Sequence, residues 1–280
     1  MPNTWSGSSK KKGINLPEKP KELQLLLKVL DDLHDFLPYL VLVGGWVPYL
    51  YARYLWKGIQ HDPLTTVDID FGFKDAPERK TETIADRVRK KDYGEHHVSM
   101  DRSVPFVPVV RVGKGDLKAD VEFITAPTTS EAVKEKLVGR EIKINEIKDF
   151  EILLESPIKI DVEGRSINVP KPSIFTFHKL LTFSQRERTD KQQKDLYYAY
   201  YVLFFSPEKE KLAHEIAEHI AKFKQGRAVK QNIKKYFEDP YAQGPTWIME
   251  GTGGAAMKML VPNIRQDAYE RIVSFIRIQP

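Results

Sequence analysis

The chain has 280 residues, a length that predicts one large domain or two modest ones. Its 41% hydrophobic, 30% charged and 11% aromatic residues exclude a disordered or collagen-like chain, and the absence of cysteine excludes disulfide frameworks, thiolate metal sites and a cysteine nucleophile. Lys and Arg number 44 against 39 Asp and Glu, and the resulting net charge of +5 permits polyanions such as nucleotides or RNA as partners.

No apolar run approaches the roughly 20 residues that cross a bilayer, and no apolar stretch of a signal peptide follows the lysines at positions 10–12. We therefore expect a cytoplasmic protein without membrane contact. Residues 1–19 contain many Ser, Gly and Lys residues and are predicted to form a flexible tail.

The next segment predicts a strand, a glycine turn and a helix. Apolar residues recur at helical spacing over residues 20–37, which indicates an amphipathic helix. A short apolar run at 39–43 predicts a strand that ends at Gly44-Gly45. Residues 46–56 follow as a predicted helix, since Pro48 is tolerated in a first turn.

Residues 65–73 alternate between apolar and polar side chains, as expected of a half-buried strand. One face carries Val67, Ile69, Phe71 and Phe73, and the other carries Thr66, Asp68, Asp70 and Gly72. Beyond this strand the pattern predicts a surface helix over 76–91, strands over 104–112 and 117–124, and short β segments over 142–169 with a hairpin at Gly164.

The pattern changes to helices after Pro170. Helices are predicted over 172–188, 191–205, 207–224, 228–237 and 264–278, whereas 244–254 contains enough glycine to predict a loop. The fold class is therefore α/β (α+β): a small mixed sheet in a domain of residues 20–170, followed by a helical C-terminal domain of residues 171–280.

The acidic residues on two predicted strands are the main candidates for chemistry. Asp68 and Asp70 project from the same strand face about 7 Å apart. Asp120 and Glu122 share one face of the strand over 117–124. If the two strands lie side by side, three or four carboxylates surround one point, which suits Mg²⁺ or Mn²⁺ and phosphoryl transfer. The alternative is that these residues are merely solvated.

Gly44-Gly45 supplies a second signal. Bare backbone N–H groups at the start of a helix can hold the phosphates of a nucleotide, although glycine pairs are also common in ordinary turns.

The segments VLVGGW, TTVDIDFGF and DLKADVEFI together resemble the nucleotidyltransferase superfamily that includes DNA polymerase β. The later segment VPKPSIFTFHKLLTFSQRERTDKQQKDLYYAYYVLFF is similar to the corresponding part of AbiEii-type nucleotidyltransferases, the toxins of certain bacterial toxin–antitoxin pairs. There a helical Lys, a turn Arg and a Lys-Asp pair recur, which correspond to Lys179, Arg186 or Arg188, and Lys194-Asp195.

The resemblance implies a metal-dependent enzyme that moves NMP from an NTP to a hydroxyl and releases pyrophosphate. It implies metal ligands at Asp68, Asp70 and Asp120, with Asp120 also helping to deprotonate the hydroxyl. The residues expected to contact the nucleotide are Gly44, Gly45, Thr66, Lys179 and Asp195, and Lys179 is also expected to act in catalysis by neutralising charge on the triphosphate.

The sequence departs from the family pattern at three points. The interval from Gly45 to Asp68 is longer than usual, Leu64 replaces a common Arg, and Tyr198 replaces a common Asp.

The same resemblance makes tRNA or another RNA the expected acceptor and a cognate antitoxin the expected partner. Residues 222–235 are rich in Lys and Arg and are a candidate RNA surface or, alternatively, a solvated helix face. Two rival functions remain open: a transferase for a small molecule, like the aminoglycoside nucleotidyltransferases, and a non-catalytic nucleotide- or RNA-binding protein of the same fold. Glu122, Arg186 and Arg188 have no assigned role at this point.

Overall fold

The computed structural model describes residues 19–64, 66–78, 82–96, 109–251 and 253–278. The predicted tail lies outside these ranges apart from Lys19, as does the first half of the strand predicted over 104–112. No helix within the described ranges is long and apolar enough to cross a membrane.

The described strands form one mixed sheet. They are β1 (Val41–Val43), β2 (Ile69–Gly72), β3 (Gly94–His96), β4 (Val109–Lys114), β5 (Leu117–Thr125), β6 (Ile144–Glu146), β7 (Ile158–Val162) and β8 (Arg165–Val169). The spatial order is β3-β4-β5-β2-β1-β8-β7, and β6 pairs with the end of β5. At the centre of the sheet, β2 runs antiparallel to β1 and parallel to β5.

Four of the described α-helices lie before or between the strands in the chain, and the others follow the last strand. The α-helices are α1 (Leu23–Asp32), α2 (Trp46–Leu50), α3 (Ile84–Arg89), α4 (Glu131–Leu137), α5 (Pro172–Thr182), α6 (Thr189–Phe205), α7 (Lys209–Lys222), α8 (Gly226–Tyr236), α9 (Gln243–Glu250), α10 (Gly254–Leu260) and α11 (Ile264–Arg277). A π-helical turn, Tyr51–Leu55, extends α2, and 3₁₀ turns span His34–Tyr39, Phe150–Leu154 and Phe183–Gln185.

The structure confirms the fold class: a mixed sheet with helices, followed by a helical C-terminal part. The alternation in β5 is as predicted, with Ala119, Val121 and Phe123 buried and Asp120 and Glu122 half-buried. The hairpin at Gly164 is also confirmed, since β7 and β8 pair antiparallel across it. Buried side chains from both halves of the chain form one hydrophobic cluster. The division into two domains at residue 170 stays a prediction.

The middle of helix α6 is buried, although it carries four tyrosines. Tyr197, Tyr198, Tyr200 and Tyr201 are each at most 2% exposed. Buried hydroxyls need partners. Those of Tyr198 and Tyr201 donate to the carbonyls of Leu64 and His61, and that of Tyr200 donates to Asp267 Oδ2 at 2.6 Å. Helix α6 is therefore bonded both to the loop before β2 and to α11.

The prediction of a loop over 244–254 is wrong, because most of this segment is helical in α9 and α10. Its glycines serve close packing rather than a turn. A Cβ on Gly244 would lie 2.6 Å from the Phe237 ring, and one on Gly253 would collide with the Tyr197 ring.

Several predicted elements are shorter than expected. Tyr39 belongs to a 3₁₀ turn instead of β1, and α3 begins only at Ile84. The Thr83 hydroxyl and Asp86 form a capping box there, which fixes the helix start. Strand β2 begins at Ile69, so Val67 does not share its buried face and is 43% exposed. Asp68, predicted on the polar face of this strand, lies just before it and is exposed.

Candidate active site

Three central strands and one glycine turn bring the predicted acidic residues together. In the antiparallel pair β1–β2, Val43 lies opposite Asp70, so the turn after β1 lies beside this carboxylate. Gly44 has a φ of +75°, and a Cβ at this position would collide with Asp70 Oδ2. Glycine is therefore needed here both for its backbone conformation and for the approach of Asp70.

The register of β2 and β5 pairs Asp70 with Glu122. Side chains directly opposite each other on neighbouring strands are close, so the partner of Asp70 across the strands is Glu122. Glu122 Oε2 also accepts a 2.6 Å hydrogen bond from Asn145 Nδ2 on β6. Sequence reasoning placed Glu122 on the correct face but gave it no role, because only the strand register shows which acid faces Asp70.

The pKa of Asp70 is raised to about 7, mainly by burial and then by the nearby charges of Glu122 and Asp68, whereas the charges of Lys179 and Arg186 act to lower it. Burial is also the main cause that raises the pKa of Glu122, followed by the charge of Asp68. These three carboxylates therefore repel one another within a single site.

Asp120, the third predicted metal ligand, has a cationic partner. Arg111 lies opposite it on β4, and its Nε and Nη2 donate to the two carboxylate oxygens at 2.6 and 3.0 Å. Such a two-bond pair fixes the carboxylate firmly. Metal binding by Asp120 stays a prediction, and it would require Asp120 to exchange this guanidinium for a metal ion.

The donor chemistry of the site fits a hard divalent cation, since Asp68, Asp70 and Glu122 offer carboxylate oxygens whose mutual repulsion a cation would relieve. In the described ranges, no three Asp, Glu or His side chains lie close enough together to hold a metal ion as they stand. The site thus fits a metal ion in ligand type and charge and is not a closed coordination group.

Basic residues from the helical half lie beside the carboxylates. Lys179 on α5 donates to Asp195 Oδ1 on α6, and Arg186 Nε donates to Asp195 Oδ2 at 3.0 Å. Both members of the first pair are buried, Lys179 at 8% and Asp195 at 5% exposure. Arg188 pairs instead with exposed Asp190. Of the two arginines that the sequence offered, only Arg186 joins this group.

Lys194 is a basic residue for which the sequence analysis proposed no role. Its Nζ lies 5.6 Å from the centre of the Tyr198 ring, and Lys179 Nζ lies 5.9 Å from the same ring. Burial lowers the pKa of Lys194, as does the charge of Lys179, whereas Asp68, Asp195 and Asp70 act to raise it.

The turn residue Gly45 lies against Thr66 and Tyr198. A Cβ on Gly45 would be 2.9 Å from both Thr66 Cβ and the Tyr198 hydroxyl oxygen. Thr66, predicted to contact a nucleotide, thus lies beside the glycine turn. Tyr198, which replaces an Asp of the resembled family, contributes a ring to the site instead of a carboxylate.

The long interval between Gly45 and Asp68 is held in place by side chains. Arg53 Nε donates to Asp62 Oδ1 at 2.6 Å, and the α6 tyrosines Tyr198 and Tyr201 bond to the carbonyls of Leu64 and His61. The inserted segment is therefore bonded both to the helical turn after α2 and to α6 before β2 begins.

A sequence model of a protein family described as "Nucleotidyltransferase" matches residues 22–224. The chain belongs to this nucleotidyltransferase family. The match includes every site residue described above, from Gly44 to Tyr198, and ends before α8. This confirms the superfamily that the glycine turn and the Asp68–Asp70 strand suggested.

Comparison with solved structures finds similarity to an antigenic nucleotidyltransferase-like protein from Paracoccidioides brasiliensis. The identity is 15% over 75% of this chain and 92% of that one, with a TM-score of 0.40. A comparison of this chain with curated proteins finds no match.

Proposed function

We propose that this protein transfers a nucleoside monophosphate from an NTP to a hydroxyl acceptor. The observation that supports the proposal most is the contact of the Gly44 turn with Asp70, on a strand whose next neighbour carries Glu122. A turn that can approach phosphates lies there beside acidic residues suited to a metal ion, and membership of the nucleotidyltransferase family agrees with this use.

In the proposed reaction, the acceptor oxygen forms a bond to the α-phosphorus and the bond from that phosphorus to the pyrophosphate oxygen breaks. Asp68, Asp70 and Glu122, with Asp120 once it leaves Arg111, would hold Mg²⁺ or Mn²⁺, which neutralises charge on the reacting phosphate when bound. The proton of the acceptor hydroxyl passes to a carboxylate oxygen, for which the sequence predicts Asp120. The chain's own contribution is positioning and charge, as is usual in phosphoryl transfer.

We further propose that the acceptor is RNA. The supporting observation is the surface of α8 and its flanks: Lys222, Lys224, Arg227, Lys230, Lys234 and Lys235 are all exposed. Residues 221–236 contain no acidic residue. None of the six cations forms an ion pair with another described residue. Such a surface suits a polyanion. The resemblance to AbiEii-type toxins favours tRNA among RNAs, and an antitoxin as partner.

Incubation with each α-labelled NTP, Mg²⁺ and total RNA tests the proposal. We expect labelled RNA with at least one NTP, and a loss of at least about 100-fold in the Asp70→Asn variant. Without added metal, this variant should melt at a slightly higher temperature than the wild type, because one repelling charge is removed. Asp116→Asn, an exposed acid at the β4–β5 turn, is the control and should retain full activity.

The other outcomes identify the rival functions. Transfer to an aminoglycoside but not to RNA would favour a small-molecule acceptor. NTP binding without transfer to any acceptor would indicate a binding protein. Near-normal turnover in Asp70→Asn would show that the proposed site is wrong.

A further inference from the structure

The turn between α8 and α9 presents an aromatic ring to solvent. Tyr241 is 76% exposed, whereas the four tyrosines in the middle of α6 are each at most 2% exposed. The turn lies beyond residue 224, where the match to the nucleotidyltransferase family ends. Membership of the family therefore assigns no role to this ring.

Hydrogen bonds fix the backbone that carries Tyr241. Its N–H donates to Asp239 Oδ1 at 2.6 Å, and its carbonyl accepts from Thr246 Oγ1 on α9 at 3.2 Å. The N–H of Ala242 donates to the Asp239 carbonyl at 3.1 Å. A ligand that binds the ring thus need not order the turn, which reduces the entropy cost of binding.

Arg265, near the start of α11, covers one face of the Tyr241 ring. Its Cζ lies 5.0 Å from the centre of the ring, the distance of a cation–π contact. Because Tyr241 is 76% exposed, the other face is accessible to a ligand. A flat aromatic ligand on that face would complete a stack of guanidinium, tyrosine and ligand.

The charges around the turn suit two different parts of a nucleic acid. Lys234 and Lys235, in the last turn of α8, are exposed and attract phosphates. Glu238 and Asp239, on the turn itself, are also exposed, and their carboxylates repel phosphates. The turn is therefore suited to a neutral base, while the phosphates of the same strand follow α8.

We propose that the Tyr241 ring stacks an unpaired base of the RNA acceptor, so that this surface binds single-stranded RNA. The inference rests on the proposed RNA acceptor and on the basic surface of α8. Only an unpaired base can turn a free face to an aromatic side chain, because paired bases are stacked on their neighbours within a duplex. Such stacking tolerates any sequence, since every base has a π face.

Binding of the full chain to a single-stranded RNA of about 12 nucleotides, and to a duplex of the same length, tests the inference without requiring turnover. For Tyr241→Ala, we expect the single strand to bind at least about fivefold more weakly and the duplex to bind as in the wild type. Tyr241→Phe keeps the ring and should bind both RNAs as the wild type does. A fluorescent adenine analogue in the single strand, whose emission is quenched by stacking, should be quenched by the wild type and Tyr241→Phe but not by Tyr241→Ala.

Met259→Ala is the control, because Met259 is an apolar side chain of the helical part that is 87% exposed. It should change neither affinity. Unchanged single-strand affinity in folded Tyr241→Ala, or an equal loss for single strand and duplex, would overturn the role of Tyr241 alone. A loss in Tyr241→Phe as large as in Tyr241→Ala would also overturn it, since the hydroxyl and not the ring would then make the contact. A wild type that binds neither RNA would overturn the proposed RNA acceptor, and the role of Tyr241 with it, but not nucleotidyl transfer to another acceptor.

Discussion

Asp195 is a carboxylate buried between two helices and bonded to two cations. Burial opposes its ionisation, but the charges and hydrogen bonds of Lys179 and Arg186 outweigh burial and hold its pKa below the ordinary value. An isolated charge at this position would be costly. Lys179 therefore stabilises the fold, in addition to any role in nucleotide binding.

Replacing Lys179 with Ala should lower the free energy of unfolding at pH 7 by about 3 kcal/mol, because Asp195 is then left with Arg186 alone. A group with a depressed pKa stabilises the fold above its unfolded pKa, near 3.9 for Asp, and this stabilisation is lost as the pH falls through the folded value. The difference between wild type and variant should therefore narrow below about pH 4. Denaturant unfolding of wild type and variant, at pH 7 and at a pH below about 4, measures this difference in the free energy of unfolding.

Lys171→Ala, an exposed lysine at the start of α5, is the control and should change little. A loss below about 1 kcal/mol for Lys179→Ala, or a difference that is the same at both pH values, would contradict the structural role of the Lys179–Asp195 pair. The effect of Lys179→Ala on kcat should be compared only under conditions where the variant is folded.

The acids of the site show how far residue patterns reach. Alternation along the chain placed Asp120 with Glu122 on one face of β5, because the faces of a strand are a local property, whereas Asp68 lies before β2 and not within it. The pairing of Asp70 with Glu122, and of Asp120 with Arg111, depends on the register between strands distant in sequence. No local pattern contains that register, so the acidic residues of the site could be predicted from the sequence but their contacts with one another could not.

Elements with strong periodicity were predicted from the sequence, and elements defined by tertiary contacts were not. Helix α1 and strand β5 follow their patterns. Helices α9 and α10 were missed because glycine normally weakens a helix, whereas Gly244 and Gly253 let aromatic rings approach the backbone. Strand β2 begins only at Ile69, and the segment before it is bonded to α6 through the Leu64 carbonyl, a tertiary contact that no local pattern contains.

The turn between β1 and α2 yields a prediction at the level of this element. Gly44→Ala should cost about 1–3 kcal/mol for the positive φ, and its Cβ should displace the Asp70 carboxylate. We expect nucleotidyl transfer to fall by at least about 100-fold. Chemical unfolding and initial rates measure the two effects separately.

Gly164→Ala is the matched control for Gly44→Ala. Gly164 has a φ of +85° and open space where its Cβ would lie, so it shares the backbone strain without the collision. Its variant should lose stability but keep full activity. Equal activity in the two variants would mean that the position of Asp70 beside the turn does not matter for transfer.

At the scale of the whole molecule, the candidate site lies where the sheet and the helical part meet. The sheet supplies the acids, and α5 and α6 supply Lys179, Lys194 and Asp195. Helix α8 packs on the end of α5, where Asn232 Nδ2 donates to the carbonyls of Leu180 and Leu181 at 2.9 and 3.1 Å. The exposed cations of α8 are thus carried on a helix anchored to the one that bears Lys179.

If RNA binds this face, the double variant Lys230→Glu/Lys234→Glu should bind RNA at least about tenfold more weakly and leave NTP affinity unchanged. The two lysines are one turn apart on the exposed side of α8. Each phosphate contact contributes roughly 0.7–0.9 to the slope of log affinity against log salt, so the slope should become shallower by about 1.5. Filter binding at several salt concentrations measures both quantities.

The double variant Lys57→Glu/Lys159→Glu is the control for net charge, since it changes the charge by the same amount at two exposed lysines of the sheet half. An equal loss of RNA affinity in both variants would mean that only the net charge of the protein matters. A loss of RNA affinity confined to the α8 variant would place RNA on the helix that packs against α5.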